Sequence, residues 1–437
     1  MTDSATQSDL QSFQIPAKIP VKTPATARWR VMDTVFSLLL FLTFNPFPQL
    51  FKGADEISSG DAAGKSYLLI LKMLLCLLAV AVFFKKVKIG DIKALSPLFA
   101  FLLIAFFSVA WSSEPYLTAR ATFELGICVL FGLVLITCRT VDETLRLIYV
   151  TVSVAVVLSL VNAVLFPSLG QHNADDFKQS VHAGLWRGIF IHKNILGQVA
   201  SLHLAMTVLS RREIISNGLL RGALLMVSVT VLVKSGSATA YIQLVFAILV
   251  FFFIRLSLSL RMFLSILLVV TMPFGLVFYA EIADVVLGAA GRELTLTGRT
   301  QVWNWLLAYE GAPRLNGVGF GNFYTIGSHL QDAFGLAVVD AHSGYLELYL
   351  TLGALGLAAF SYLVLSGFAA LWKLKTSVPS FAMLGIVILS MWVLNAVTET
   401  SPFRPNNGLF ACALVIVAMA LKRAAAARSP APAKGGP

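Results

Sequence analysis

Residues 380–397 read SFAMLGIVILSMWVLNAV, an apolar run with no charged residue. A helix of roughly 17–25 such residues crosses about 30 Å of hydrocarbon. Comparable runs recur at approximately 32–51, 66–84, 94–111, 119–138, 145–166, 190–210, 217–234, 238–254, 261–280, 343–371 and 408–421, making twelve in all. They are continuous rather than alternating, which points to helices and away from a closed barrel. Composition agrees: the 437 residues are 57% hydrophobic and 13% charged, with mean hydropathy +0.81, whereas soluble domains carry about 25% charged residues. The expected fold is an all-α integral membrane protein of about twelve transmembrane helices. A polytopic domain at 32–421 lies between a polar, disordered N-terminal tail (1–31) and an Ala/Pro/Gly-rich C-terminal tail (422–437).

Lysine and arginine test the count, because cytoplasmic connections are enriched in both. Lys18, Lys22, Arg28 and Arg30 precede span 1; Lys85, Lys86, Lys88 and Lys93 follow span 2; Arg139 and Arg146 follow span 4. Arg211, Arg212, Arg255, Arg261, Lys373 and Lys375 continue the series, and Lys422, Arg423, Arg428 and Lys434 end it. Of 33 basic residues, 20 fall inside and 11 outside, with Lys72 and Arg221 in or at the ends of apolar runs and expected to snorkel. Both termini are then inside, and the long 281–342 loop is outside. The net charge of +11 is dispersed over short inner loops, which argues against nucleic-acid binding. Cys76, Cys128, Cys138 and Cys412 all lie in apolar spans without metal-ligand spacing, as buried thiols. No cleavable signal peptide is visible; span 1 would serve as the insertion signal.

Unusual polar residues collect on the outer side in four segments. One is the 167–193 loop leading into Trp186-Arg187-Gly188 and His192-Lys193-Asn194. The second is the turn Lys234-Ser235-Gly236-Ser237, and the third is the 281–342 loop. The fourth is Asn395 to Glu399-Thr400, leading to Arg404. Clustering on one face favours an enzyme acting there over a transporter, whose sites lie near the midplane. Arg187, Lys193 and Arg299 are candidates for gripping an anionic group, since guanidinium forks suit phosphate oxygens. His342 is a candidate general base, with Asp340 or Glu347 to orient it. Each has a plainer reading. Arg187 could be a headgroup anchor, His192 a packed helix-start residue, and Asp340 a partner of the positive end of span 10. The Gly317-x-Gly319-x-Gly321 run lacks a βαβ context and reads as a loop turn. His329, Asp332, Asp340 and His342 match no metal-ligand spacing. A helix is expected at about 299–310, whose Trp303, Trp305, Leu306, Leu307 and Tyr309 could rest on the membrane, cover the site or pack on the bundle.

Together, these motifs resemble a known family. Arg187-Gly188-x-x-x-His192-Lys193-Asn194-x-Leu196-Gly197 comes first, then Thr297-Gly298-Arg299-x-x-x-Trp303. Gly317-x-Gly319-x-Gly321-Asn322-Phe323 follows, and His342-Ser343-x-x-Leu346 with Gly353 ends the series. Over roughly 180–400 the chain is similar to the O-antigen ligase/polymerase family of bacterial inner-membrane proteins, on the side of the exopolysaccharide polymerases. The resemblance implies a GT-C-type helical fold in the inner membrane with a periplasmic active site. It implies a donor oligosaccharide linked to undecaprenyl diphosphate, transferred en bloc with inversion to a glycan hydroxyl. The acceptor would be another lipid-linked repeat for a polymerase, or the lipid A core for a ligase. His342 matches the family's catalytic base, and Arg187 and Arg299 the arginines holding the diphosphate. His192, Lys193, Asn194, Glu399 and Arg404 are expected to bind substrate. No cofactor, nucleotide sugar or metal is implied, and a chain-length regulator is a candidate partner. The competing class is a polysaccharide flippase, which would place charges mid-span, where only Lys72, Arg221 and Glu124 stand.

Overall fold

The computed structural model describes residues 27–48, 63–83, 86–176, 180–210, 214–277, 299–309, 311, 313–334, 340–400, 404 and 407–427. Its regular structure is helical throughout these residues, and each of the twelve apolar segments contains a helix. In chain order the first six are α1 (Ala27–Thr43), α2 (Ala63–Phe83), α3 (Ser96–Phe107), α4 (Pro115–Cys138), α5 (Val141–Leu165) and α6 (Lys193–Leu209). Next come α7 (Gly218–Ser235), α8 (Ala238–Arg255) and α9 (Leu258–Val277). Two helices then lie within the long polar segment, α10 (Arg299–Ala308) and α11 (Tyr324–Phe334). The chain closes with α12 (Gly344–Lys373), α13 (Pro379–Thr398) and α14 (Gly408–Ala426). Among the described residues, α4, α5, α7, α8, α12, α13 and α14 are long and apolar enough to cross a membrane, and shorter apolar stretches lie in α1, α2, α3 and α9. The protein is therefore a multi-pass membrane protein.

Local chemistry sets the helix ends. α1 begins at Ala27 and stops at Thr43, short of the expected end at residue 51, because Asn45, Pro46 and Pro48 cannot continue it. Asn45 and Phe47 take left-handed φ of 50° and 54°, and the Phe47 N–H donates to the Ile189 carbonyl at 2.7 Å, folding this end against the loop before α6. α5 opens with a Thr140/Glu143 capping box, and Asn217 and Asn407 cap α7 and α14. At the opposite helix ends, Arg221 donates to the carbonyls of Thr207, Val208 and Ser210, and Lys422 to that of Ile136. Cations there complement the negative ends of helices. Lys72 does not snorkel; it is 4% exposed, inside the protein, and the nearby Arg120 and Glu124 of α4 pair at 3.6 Å.

The core lies where α4, α12 and α13 surround α14, whose residues Leu409 to Ala420 are all buried. Phe360, Trp392 and Phe410 stack edge-on through it with centroids 5.1 and 5.7 Å apart. By contrast α7 and α8 turn much of their apolar surface outward, including Met226, Ile242 and Leu249, as lipid-facing helices do.

α12 is broken at Gly353, where φ is 64° and ψ −161°. A break inside an apolar helix orphans backbone groups, which hydrocarbon cannot satisfy. The glycine run supplies partners here. Val318 and Gly319 donate to the carbonyls of Leu350 and Thr351 at 3.1 and 2.9 Å, while Ala354 and Leu355 donate to those of Arg314 and Leu315 at 2.9 and 3.1 Å. Side chains would prevent this approach: a Cβ on Gly317 would lie 2.3 Å from the Thr351 carbonyl carbon, and one on Gly353 2.2 Å from that of Leu315. The run is thus a turn, as its context implied, and it closes the gap in α12. Asn322 extends the docking by donating to Ser113 Oγ at 3.0 Å, in the connection between α3 and α4.

Candidate active site

The turn that starts α12 is organised by one carboxylate. Asp340 Oδ1 accepts the His342 backbone N–H at 2.9 Å and lies 3.1 Å from the same residue's Nδ1. His342 takes a left-handed φ of 47°, a conformation that costs an L-residue roughly 1–2 kcal/mol. Both the backbone turn and the imidazole are therefore held by a single oxygen. The His342 side chain is 42% exposed. With Nδ1 turned to Asp340, Nε2 is the nitrogen through which the ring would take a proton.

Arg404 and Glu347 add further charge around the pair. Arg404 Nη2 lies 3.9 Å from Asp340 Oδ2 and 3.3 and 3.4 Å from the two Glu347 oxygens, and the Ala341 N–H points to Glu347 at 3.4 Å. Burial pushes the Asp340 carboxyl up. Arg404, His342, the His342 N–H and the Thr400 hydroxyl outweigh it and hold the group below the usual carboxylate range. Asp340 is thus an anion at neutral pH.

Trp303 ties the outer helices to this turn, its indole N–H donating to the Ala341 carbonyl at 2.8 Å. Leu306, Phe323, Ile326, Leu330 and Leu350 form a small core beneath, with Trp305 and Tyr309 packed on it and Leu307 facing out. α10 therefore packs on the bundle, one of the readings open for it. Arg299 is the first residue of this helix, one turn before Trp303; its side chain, and all of Thr297 and Gly298, lie outside the described residues.

The start of α6 adjoins the same rim. His192 caps the helix by accepting the Asn194 N–H at Nδ1, 3.2 Å, and the Asn194 amide donates to Glu399 Oε1 at 2.9 Å. Glu399 directly follows α13 and precedes the Thr400 that bonds Asp340. A continuous polar path therefore runs from His192 through Asn194, Glu399 and Thr400 to the Asp340–His342 pair. One turn deeper, buried amides repeat the link: Gln198 bonds Asn395, Asn395 bonds Gln243 of α8, and Asn407 bonds Gln198. The starts of α6, α12 and α14 and the end of α13 thereby meet at one place. Three helix starts carry partial positive charge to that rim, a setting that favours an anion.

Three imidazoles flank this path. The rings of His172, His182 and His192 have centroids 5.2–5.6 Å apart. His172 is pinned at both nitrogens, Nδ1 to Asp176 at 3.1 Å and Nε2 from the Lys193 N–H at 3.1 Å. Burial, with Arg187 close by, pushes His172 down to about 4, against the pull of Asp176. Burial, with the neighbouring histidines and Lys193, pushes His192 to about 3, against the pull of Asp340. Both rings are neutral at ordinary pH.

With this geometry in hand, comparison with known proteins is informative. Residues 223–361, which include α10, the glycine run and the His342 turn, match the family described as O-antigen ligase. The exopolysaccharide production protein ExoQ of Rhizobium meliloti (strain 1021) is 27% identical over 305 residues, covering 66% of this chain and 68% of ExoQ. Both matches support the O-antigen ligase/polymerase family, on the exopolysaccharide side, that the motifs resemble. They support a function of the O-antigen ligase/polymerase type, that of a glycan-processing enzyme.

Of the site residues expected from the sequence, His342, Arg404, Glu399, Asn194 and His192 lie along one connected rim. Lys193 adjoins them, its Nζ donating to the Gly236 carbonyl at 3.2 Å. The second polar segment proves structural: Ser235 and Ser237 are fully buried, and a Cβ on Gly197 would lie 2.7 Å from Ser237 Cβ, so the turn packs against α6.

Arg187 departs from expectation. It is 6% exposed, and its guanidinium donates to Asp176 Oδ2 at 2.8 Å and to the carbonyls of Leu169 and Ser168 at 3.0 and 3.3 Å. The physical reason is the short helix Pro167–Gly170, whose terminal carbonyls need donors. Arg187 braces the histidine-bearing loop and does not present its fork to a ligand. Sequence reasoning passed over its partner Asp176, and His172, Gln198 and Gln243 as well. Two glutamines inside apolar spans were the available signal, because such groups need partners in hydrocarbon.

Proposed function

We propose that this protein is a membrane glycosyltransferase that polymerises oligosaccharide repeats of a surface polysaccharide or exopolysaccharide at the outer face of the bacterial inner membrane. The observation that carries this reading is the half-exposed His342, held by the ionised Asp340 at a rim where three helix starts converge. The donor is an oligosaccharide linked to undecaprenyl diphosphate. His342 removes the proton from an acceptor hydroxyl, and the hydroxyl oxygen attacks the anomeric carbon of the donor. The bond from that carbon to the diphosphate breaks, the electron pair leaves with the diphosphate, and the configuration inverts. Asp340 stabilises the imidazolium that forms. Arg299, Lys193 and the helix starts offset the charge that grows on the leaving group. Arg187 acts by positioning, and Asn194, Glu399 and Arg404 line the acceptor side.

The architecture that accompanies this reading is GT-C-like, with twelve spans, both termini cytoplasmic and the His342 rim periplasmic. A chain-length regulator is a candidate partner. The match to the family described as O-antigen ligase supports one further reading, transfer of the glycan to the lipid A core. A single experiment separates them: purified protein in lipid, supplied only with its lipid-linked repeat, beside His342→Ala. A ladder of longer lipid-linked chains, absent in the variant, is the expected result. Unconsumed donor in both, with consumption on adding lipid A core, would overturn the polymerase in favour of the ligase.

A further inference from the structure

A pair of cations meets at the membrane surface opposite the His342 rim. α8 starts beside Lys193 and has 18 residues, so at 1.5 Å per residue its last turn lies about 27 Å from the rim, close to the thickness of the hydrocarbon layer. The end of α8, the start of α9 and the end of α12 come together there. Lys375, just past α12, donates to the Ile254 carbonyl of α8 at 3.3 Å, and Arg261 of α9 lies over the Trp372 ring of α12.

Both cations are held on one indole. The Arg261 guanidinium carbon is 4.9 Å from the Trp372 ring centroid and Lys375 Nζ is 4.0 Å from it, so the two charges are at most about 9 Å apart. Like charges this close repel, and Lys375 is held below the usual ammonium range by partial burial and then by Arg261. Among the described residues no carboxylate pairs with either cation, and Arg261 Nε is buried without a partner. Arg261 also stands in the first turn of α9, an end that is itself positive and carries no acidic residue. The bias of lysine and arginine toward one side of the membrane explains why basic residues lie here. It does not explain why two of them share a ring.

Trp372 also marks a boundary. It is 48% exposed and ends an outward stripe of α12, in which Leu355, Tyr362 and Leu365 precede it at three- and seven-residue spacing. Such a stripe meets lipid, and indole rings settle where hydrocarbon gives way to headgroups. The cation pair is therefore at headgroup depth, with an apolar track leading from it into the bilayer. A small soluble anion would make no use of that track. A zwitterionic headgroup would bring its own cation to two that already repel. We infer that Arg261 and Lys375 grip the phosphodiester headgroup of an anionic membrane lipid against Trp372, with an acyl chain along Leu365 and Tyr362. Charge-assisted bonds of about 2.8 Å on either side of a phosphate bridge a gap of this size, and basic sites between helices suit such headgroups. The bound lipid would join the start of α9 to the ends of α8 and α12.

This site is independent of the reaction at His342 and is tested without an activity assay. The full-length protein is placed in phosphatidylcholine bilayers that carry, at one fixed mole fraction, either phosphatidylglycerol or phosphatidylcholine brominated on the acyl chain near the headgroup. Bromine quenches nearby indoles, and the fluorescence lost in Trp372→Phe isolates the Trp372 signal from that of the other tryptophans. Quenching at Trp372 is expected to favour phosphatidylglycerol roughly fivefold, the factor that one cation beside an anionic headgroup supplies. Arg261→Gln/Lys375→Gln should bring the two lipids to parity, and Arg261→Lys, which keeps the charge, should retain most of the preference. Should the glutamine pair fail to fold, wild type alone decides, because the preference must shrink as salt approaches about 1 M, where the Debye length is about 3 Å. Parity of the two lipids in wild type, a preference indifferent to salt, or one undiminished in the folded glutamine pair would each overturn the assignment. So would its loss to inorganic phosphate at constant ionic strength, which would make the site one for a soluble anion.

Discussion

Replacing Asp340 by asparagine removes one charge and little else. The Asn side-chain oxygen can still accept the His342 N–H, so the left-handed turn keeps its 2.9 Å bond. Arg404 keeps Glu347, and Trp303 keeps the Ala341 carbonyl. What disappears is the attraction between the carboxylate and the imidazolium that forms when His342 accepts a proton. At the 3.1 Å separation, Coulomb's law gives about 5 kcal/mol at an effective dielectric constant of about 20 and about 1.3 kcal/mol at that of bulk water. His342 is partly exposed and Asp340 mostly covered, so a value near the middle, about 3 kcal/mol, is expected. At about 1.4 kcal/mol per factor of ten, turnover in Asp340→Asn falls about 100-fold.

The assay is elongation of the lipid-linked repeat in lipid nanodiscs, with turnover and KM measured separately and thermal unfolding in parallel. Turnover should fall while donor KM and unfolding temperature stay near wild type, because the missing term belongs to the transition state. Turnover within about threefold of wild type, under about 0.7 kcal/mol, in a correctly folded variant would refute the assignment of Asp340 as the partner of a catalytic base. A fall matched by a large loss of unfolding temperature would refute it too, since the carboxylate would then be holding the fold.

Other consequences are checked more briefly. Gly353→Ala combines a left-handed φ with a Cβ 2.2 Å from the Leu315 carbonyl carbon, so it should lose about 3 kcal/mol or more; an unchanged unfolding temperature would exclude the backbone pairing described. Arg187→Gln should lower unfolding temperature and loosen the 167–193 loop; a higher donor KM at unchanged stability would instead restore Arg187 as an anion grip. Acid should loosen that loop before it touches the dyad. His172 and His192 are held at about 4 and about 3 when folded but sit near 6.5 when unfolded, so below about 6.5 the unfolded chain gains protons that the folded one refuses. Each such proton costs about 1.4 kcal/mol of stability per pH unit down to the folded values. The Asp340 contribution has the other sign: it is fully present above the unfolded carboxylate value of about 3.9 and is lost only as pH falls through its depressed folded one. Hydrogen-exchange protection, corrected for the intrinsic pH dependence of amide exchange, should thus fall in 170–194 between pH 7 and 4.5 and stay constant at 340–347; equal change in both segments would contradict this account.

How much of this was legible beforehand depends on the range of each interaction. The helices were, because an apolar run in hydrocarbon has no alternative to satisfying its backbone internally. The error at α1 came from reading apolar content past Asn45, Pro46 and Pro48. Asp340 was legible as a neighbour of His342 two residues away. The pairing of Glu347 with Arg404 and of Asn194 with Glu399 was not, since 57 and 205 residues separate the partners. Charge alone could not tell which way Arg187 turns, because a guanidinium serves a loop carbonyl and a phosphate equally well. The glycine run read correctly as a turn, yet its service to Gly353 was hidden: backbone bonds between residues as far apart as Val318 and Leu350, or Arg314 and Ala354, leave no side-chain pattern.

With Arg187 turned inward, the charge balance at the rim bears on how the reaction would run. Among the described residues, His342 stands beside the anionic Asp340, whose second oxygen faces Arg404 together with Glu347. That environment is poor for a resting diphosphate and good for a forming imidazolium. In the proposed mechanism the leaving group would lie on the other flank, toward Lys193 and the positive ends of α6 and α14. Separation of this kind has a kinetic meaning. As the acceptor proton reaches His342, positive charge appears beside the carboxylates at the moment negative charge grows beside the cations. Both electrostatic gains are then larger in the transition state than in the bound ground state, which is the condition for raising turnover and not merely affinity.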